Sequence, residues 1–160
     1  MNEKKRHFLE EVGMLFDQLG MTRMSGRAFA YLIVCDRDHA SFDQIREALQ
    51  ASKGSISPTM KQLVQTGLVE SVSLPGDRKT YFRISEMEIG KMLEARMQLM
   101  NEFSDTLIKG KKMKERSDHV TNWLDETAAF YNWMEEKMHE IFEEWEENKE
   151  SIMKEYGDRQ

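Results

Sequence analysis

Apolar positions recur along most of this chain at intervals of three and four, the period of an amphipathic helix. Phe8, Val12, Leu15, Phe16 and Leu19 make the first such stripe, and Gly20 follows it as a stop. A second run, from about Ser25 to Cys35, is almost wholly apolar and predicts a buried helix before the polar loop Asp36-Arg37-Asp38-His39-Ala40. Ser41 with Gln44 three residues later forms a capping-box pattern, opening a short helix striped by Ile45, Ala48 and Leu49. A fourth helix carries Ile56, Met60, Leu63 and Val64 as its inward set and closes at Gly67. The period then changes. Val69 to Leu74 and Lys79 to Ile84 are β-prone runs around Pro75-Gly76-Asp77-Arg78, which predicts a hairpin and the chain's one strand pair.

Helical periodicity returns after Ser85, which with Glu88 repeats the capping-box pattern. Ile89, Leu93, Met97, Met100, Phe103 and Leu107 form the stripe, and Gly110 is the expected end. Beyond the basic segment "KGKKMKER" a final helix is expected from about Ser117 to Glu155, roughly 55 Å long at 1.5 Å per residue. Its seam alternates spacings of four and three through Val120, Leu124, Thr127, Tyr131, Met134, Met138, Ile141 and Trp145 to Ile152. A heptad-like seam on so long a helix calls for a partner helix.

Two short helices joined by "QASKG" and followed at once by a hairpin spell a helix-turn-helix with a wing. The fourth helix is unusual in a chain of net charge -6: no acid stands between Glu47 and Glu70. Opposite its apolar side, at 100° per residue, lie Ser55, Pro58, Lys61, Gln62 and Gln65. Hydroxyls, amides and one cation are what a major-groove reader presents to phosphates and base edges. Ser52, Lys53, Ser57 and Thr59 complete the helix's candidate DNA contacts, and Arg78 and Lys79 at the hairpin tip supply those of the wing, for minor groove or backbone. Pro58 lacks an N–H and presses on the carbonyl of Gly54 four residues earlier, so the helix is expected to begin at a Ser52 cap with a loosened first turn.

Charge supports this reading locally rather than globally. Residues 1–86 carry 12 Lys+Arg against 11 Asp+Glu, whereas residues 87–160 carry 11 against 18. A phosphate backbone responds to the local patch more than to the whole-chain balance. The chain's 160 residues, 39% hydrophobic and 32% charged, suit one helix-rich domain with an extension. The longest apolar run, Ala28 to Cys35, is too short for a bilayer, and the N-terminus turns acidic where a signal peptide turns apolar, so a cytoplasmic protein without membrane contact is expected.

"MTRMSGRAFAYLIVCD", "ASKGSISPTMKQL" and "PGDRKTYFRIS" resemble the MarR-type winged-helix regulators, in particular their GbsR-like branch. The wing signature of that family more often has a second Arg where Lys79 stands. The resemblance spans most of residues 8–110. It implies a mainly α fold: a winged helix-turn-helix with a two-stranded β-wing, flanked by N- and C-terminal dimerisation helices. The implied parts are an N-terminal helix (1–24), the DNA-binding domain (25–86) and a helical dimerisation region (87–160). It further implies a homodimer on a pseudo-palindromic double-stranded DNA operator, acting as a repressor released by a small-molecule effector. Phe8, Val12, Leu124, Tyr131, Met134, Met138, Ile141 and Trp145 would form the interface.

Trp123, Phe130, Tyr131 and Trp133 crowd one stretch of the last helix. They either pack an interface or cage a quaternary ammonium effector by cation–π attraction. Cys35 on an apolar run reads as a small hydrophobe rather than a redox switch. The four histidines show no ligand spacing, so no metal and no cofactor are expected. Nucleophile elbows, phosphate loops and zinc-protease motifs are absent from the sequence, which places an enzyme last among the readings. The rival from another class is a helical protein-interaction adaptor whose winged lobe binds protein instead of DNA.

Overall fold

The computed structural model describes residues 1–159. The chain divides into two compact units, Met1–Glu86 and a second beginning at Met87. In the first unit α1 (Glu3–Gln18) packs on α2 (Arg23–Val34), followed by β1 (Ala40–Ser41), α3 (Phe42–Ala48), α4 (Lys53–Gln65), β2 (Val69–Ser73) and β3 (Thr80–Ile84). The second unit is a pair of helices, α5 (Ile89–Lys111) and α6 (His119–Asp158). The N-terminal helix, set apart at residue 24 by the sequence reading, folds within the first unit.

Helix ends in the first unit follow from local chemistry. α1 stops in a Schellman arrangement: Met21 N–H donates to Phe16 O at 2.9 Å and Gly20 N–H to Asp17 O at 3.1 Å, with Gly20 at φ +76°. α2 starts two residues before the expected Ser25, capped by Thr22, whose side chain accepts from Ser25 N–H. Ser41 and Gln44 close the expected capping box on α3. The α3–α4 turn repeats the Schellman pattern, with Ala51 N–H donating to Arg46 O at 3.0 Å. Here the left-handed position is Gln50, at φ +52°. Side chains at that conformation cost about 1 kcal/mol relative to glycine.

The core draws on every element of this unit. Leu9 and Phe16 of α1, Ala28 and Leu32 of α2, Ile45 of α3, and Ile56, Met60 and Leu63 of α4 are buried against Val69 and Phe82 of the strands. Each fully buried aliphatic side chain stabilises the unit by about 1.5–3 kcal/mol before entropy is counted. α1 and α2 cross in near-contact at Gly13 and Gly26. A Cβ on Gly26 would sit 2.5 Å from Val12 O and 2.7 Å from Gly13 Cα. Phe8 and Val12, expected at a dimer interface, are half-buried and pack on this core. The large apolar side chains left exposed here are Met14 and Leu15 of α1 and Leu19 at its C-cap.

The sheet corrects one expectation. The expected two-stranded wing of β2 and β3 is present, but β1 adds a third antiparallel strand in the order β1-β3-β2, where one strand pair was expected. Ala40 pairs with Phe82 and Ser41 with Tyr81. A two-residue strand inside a loop is too short to show alternation, so it left no periodic signal.

Three corrections concern the second unit. Ser85 and Glu88 do not form a capping box: Glu88 stands at the N-cap of α5 without a side-chain cap bond. Its carboxylate accepts from Lys149 of α6 at 2.7 Å and meets Lys91 at 3.1 Å, and those two cations hold it below the usual carboxylate range. Gly110 does not end α5, which continues through Lys111. α6 is capped by Asp118, not begun at Ser117: Asp118 Oδ1 accepts from the N–H groups of Val120 and Thr121, and Thr121 Oγ1 accepts from Asp118 N–H. α5 and α6 run antiparallel, tied by Glu88–Lys149 at one end and Lys111–Asp125 at the other.

The long seam of α6 faces this intrachain partner. Leu124 is buried, and Tyr131, Met134, Met138 and Trp145 are half-buried. Ile141 is the exception among the expected interface residues of α6, at 52% exposed. The partner helix that the seam called for is thus supplied by the chain's own α5.

Candidate nucleic-acid interface

α4 begins where its chemistry places it. Ser52 is the N-cap, its Oγ accepting from Ser55 N–H at 3.2 Å, and Pro58 lies inside the helix. Ser52 O receives N–H groups from both Ser55 and Ile56, a mixed first turn that leaves Pro58 to interrupt the ladder one turn later. Ser52, Lys53, Ser57, Pro58, Lys61 and Gln65 are exposed on one side of the helix. Three predicted contacts stand differently. Thr59 is buried, and its hydroxyl donates to Ser55 O at 2.8 Å, so it braces the helix against the missing proline N–H. Ser55 is half-buried and engaged through that carbonyl. Gln62 is half-buried, and its Oε1 accepts from the buried Ser25 hydroxyl of α2 at 2.6 Å. That bond fixes the azimuth of α4 against α2 and leaves Gln65 as the amide with both ends free to reach outward.

Val64, expected inward, is exposed instead and lines a groove between α4 and the sheet. Ser57, Lys61, Gln65, Ser71, Lys79 and Thr80 share this groove, with the buried Met60 and Phe82 beneath. The fold therefore brings the helix and wing candidates together. Ser71 and Thr80 were not legible as site residues, because alternation marks a strand's solvent side without saying what that side faces. Asp43 stands on the rim, and its nearest cation is Arg46 at 3.7 Å.

The wing tip is a built turn. Asp77 N–H donates to Leu74 O at 3.1 Å, with Pro75 second and Gly76 third at φ +80°, the geometry of a type II turn. Asp77 then accepts from the Tyr81 hydroxyl at 2.7 Å and from Lys79 N–H at 2.9 Å. These bonds hold its carboxyl below the usual range and push the Tyr81 phenol up. Asp77 is thereby spent on the turn and forms no ion pair with Arg78. Arg83, the remaining cation of residues 51–83, is tied to Glu70 and Glu86. Among the described residues, Lys53, Lys61, Arg78 and Lys79 make no ion pair within the chain.

The other candidates fall elsewhere. Trp123, Phe130 and Trp133 stand exposed along one side of α6, with Phe130 and Trp133 ring centres 6.0 Å apart, while Tyr131 turns partly inward. They line up along a helix rather than converging on a cavity. A separate groove between α5 and α6 has Met97, Met138 and Phe142 as its floor and Glu94, Glu135 and Glu136 at its edge. Cys35 is half-buried, its thiol pointing at the carbonyls of Leu32 and Arg37. No cluster of three metal-ligating side chains occurs among the described residues, and no described helix is long and apolar enough to cross a membrane.

Comparison with known proteins agrees with this geometry. No family profile matches the chain. It is 36% identical over 98 residues to the HTH-type transcriptional regulator MmpR5 of Mycobacterium tuberculosis, a match covering 61% of this chain and 59% of that protein. The chain thus spans less than two thirds of that relative's length. A crystal structure of a transcriptional regulator superposes with a TM-score of 0.80 at 28% identity, covering 90% of this chain and 99% of that one. The winged helix-turn-helix with its C-terminal helices is therefore a fold shared almost end to end with a transcriptional regulator.

Proposed function

We propose that this chain is a cytoplasmic MarR-type transcriptional regulator of the GbsR-like branch, which binds operator DNA as a homodimer and represses. One observation carries the reading. The exposed side of an acid-free α4 and the wing tip together present four cations, Lys53, Lys61, Arg78 and Lys79, that form no ion pair among the described residues. Cations left unpaired beside a helix N-terminus favour phosphate, and Gln65 and Ser57 between them offer groups for base edges. A two-fold dimer would set two such helices about 34–36 Å apart, in successive major grooves. The exposed aromatic side of α6 supports the dimer, since an apolar row of that length is rare on a monomer.

An effector, in this reading, is a small cation with an apolar body. The methionine-floored, carboxylate-edged groove of the second unit suits it better than the aligned aromatics do. The experiment is an electrophoretic mobility shift on the DNA flanking the chain's own gene, at several salt concentrations and against random competitor. Selective, salt-dependent binding is expected. Binding that is equal on all sequences, or absent, would favour the protein-interaction adaptor.

A further inference from the structure

The inward seam of α6 has an outward neighbour. His119, Trp123, Glu126, Phe130, Trp133, Lys137, Ile141 and Glu144 follow one another at spacings of three and four, all of them exposed. At 100° per residue they lie within an arc of about 80°. This second seam carries no contact to α5 that would account for its apolar members: Trp123, Phe130, Trp133 and Ile141 are each more than half exposed.

The order of residues along it is informative. Taken about a midpoint between Phe130 and Trp133, the sequence is apolar-symmetric and charge-antisymmetric. The two central aromatics are equivalent under reversal, Glu126 exchanges with Lys137 and His119 with Glu144, and Trp123 falls within one residue of Ile141. A pattern of this kind is self-complementary in one orientation only. Parallel pairing of two copies would oppose Glu126 to Glu126 and Lys137 to Lys137.

We infer that this outward seam of α6 docks antiparallel against the same seam of a second copy, with the two-fold axis passing between Phe130 and Trp133. The inference rests on the homodimer proposed above and adds its register. The central aromatics and the Trp123–Ile141 pairs form the apolar core of the contact. Two Glu126–Lys137 pairs flank the centre and two His119–Glu144 pairs lie further out. Within one chain Glu126 has no ion pair among the described residues, and Lys137 meets only Glu140, three residues on, at 2.8 Å. The ends of the helix fit the same arrangement. Reversal carries the acidic stretch Glu146–Glu150 toward the partner's basic turn, where Lys112 and Arg116 have no ion pair among the described residues. Isologous contacts of this type use each interaction twice, so a modest charge preference is doubled.

The test uses the full chain with Cys35→Ser. Glu126→Cys combined with Lys137→Cys should form a covalent dimer under mild oxidation, because the two positions face each other across the axis. Either cysteine alone should not, since each lies about 16 Å along the helix from its own symmetry mate. Sedimentation equilibrium supplies the second arm. Glu126→Lys alone should raise the dimer Kd about tenfold or more, because two attractive contacts become two repulsive ones. Glu126→Lys with Lys137→Glu should return it to within about threefold of the parent. A parent that dimerises, with single cysteines that cross-link as well as the pair or charge reversals that do not rescue, would overturn the register and leave the dimer standing. A parent that is monomeric at micromolar concentration would overturn both.

Discussion

Removing Lys61 separates the proposed roles of the α4 side chains most sharply. Lys61 is exposed, carries no ion pair within the described residues and lines the groove shared with the wing. Lys61→Ala therefore touches neither the core nor the cap. If each chain of a dimer brings Lys53, Lys61, Arg78 and Lys79 to phosphates, roughly eight contacts release counterions and log K falls with log salt at a slope of about -7. Across a fourfold rise in salt that slope corresponds to a loss of about 2 × 10⁴ in affinity. The variant loses one contact per chain, its slope becomes about -5.4, and the same rise costs only about 2 × 10³.

The assay is fluorescence anisotropy on operator and on scrambled DNA between about 50 and about 200 mM salt, the range in which such slopes are read. Lys61→Ala should flatten both lines equally, since a phosphate contact carries no sequence information. Gln65→Ala should leave the slope alone and reduce discrimination by about 1–3 kcal/mol if its amide reads a base edge. Lys154→Ala, an exposed cation on the acidic α6, serves as the control and should change neither. The assignment of roles is refuted if Lys61→Ala leaves the slope at its parent value, or if Lys154→Ala lowers it as much.

Three further expectations follow from the first unit. Gly26→Ala should destabilise it by about 2–3 kcal/mol, read as a lower urea midpoint, because the atoms in the way are the backbone of Val12 and Gly13 and cannot rotate aside; an unchanged midpoint would mean that α1 and α2 do not cross there. Gln50→Gly should stabilise the same unit by about 0.5–1 kcal/mol by relieving the left-handed strain in the α3–α4 turn, although added chain entropy offsets part of the gain. The wing's order should depend on pH through Asp77: its folded carboxyl titrates below the ordinary aspartate value of 3.8, so the stabilisation is fully present above that value and is lost as pH falls through the folded one. Following the Lys79 amide and Tyr81 ring by NMR should show both released in that acid window, and Asp77→Ala should abolish the transition while weakening DNA binding at neutral pH.

Much of the first unit was legible because its signals are local. A Ser41–Gln44 box, a Pro-Gly turn and a glycine stop act over three to five residues, and each appears in the structure where the spacing placed it. The polar face of α4 was legible for a different reason: the absence of acids from 48 to 69 is a statement about charge, which needs no packing to be read. What failed was whatever depended on a second element. By angle alone Gln62 sits on the polar side of α4 and Thr59 on its border. Only the backbone carbonyl of Ser55 and the hydroxyl of Ser25 turn one into a brace and the other into an anchor to α2. The Ser85–Glu88 box failed similarly, because Lys149, 61 residues away, offers Glu88 an ion pair in place of a local N–H.

The long helix shows the same limit at larger scale, and its two seams explain why. Periodicity identifies a stripe but not its partner, and on α6 two stripes run side by side with the same three-four rhythm. The inward one, through Leu124, Tyr131, Met134, Met138 and Trp145, is richer in aliphatic and thioether side chains and satisfies α5. The outward one alternates aromatics with charges, so its aromatics stand out in the sequence as a cluster while the stripe that joins them does not. Ile141 lies near the border and fits either count, which is why it joined the inward seam in the sequence yet is exposed in the fold. A helix that packs on a neighbour in its own chain and, as proposed, on a second copy needs two such faces with different chemistry. Apolar burial suits the permanent contact within the chain, whereas a charge-antisymmetric face can select its own reverse and reject every parallel alternative.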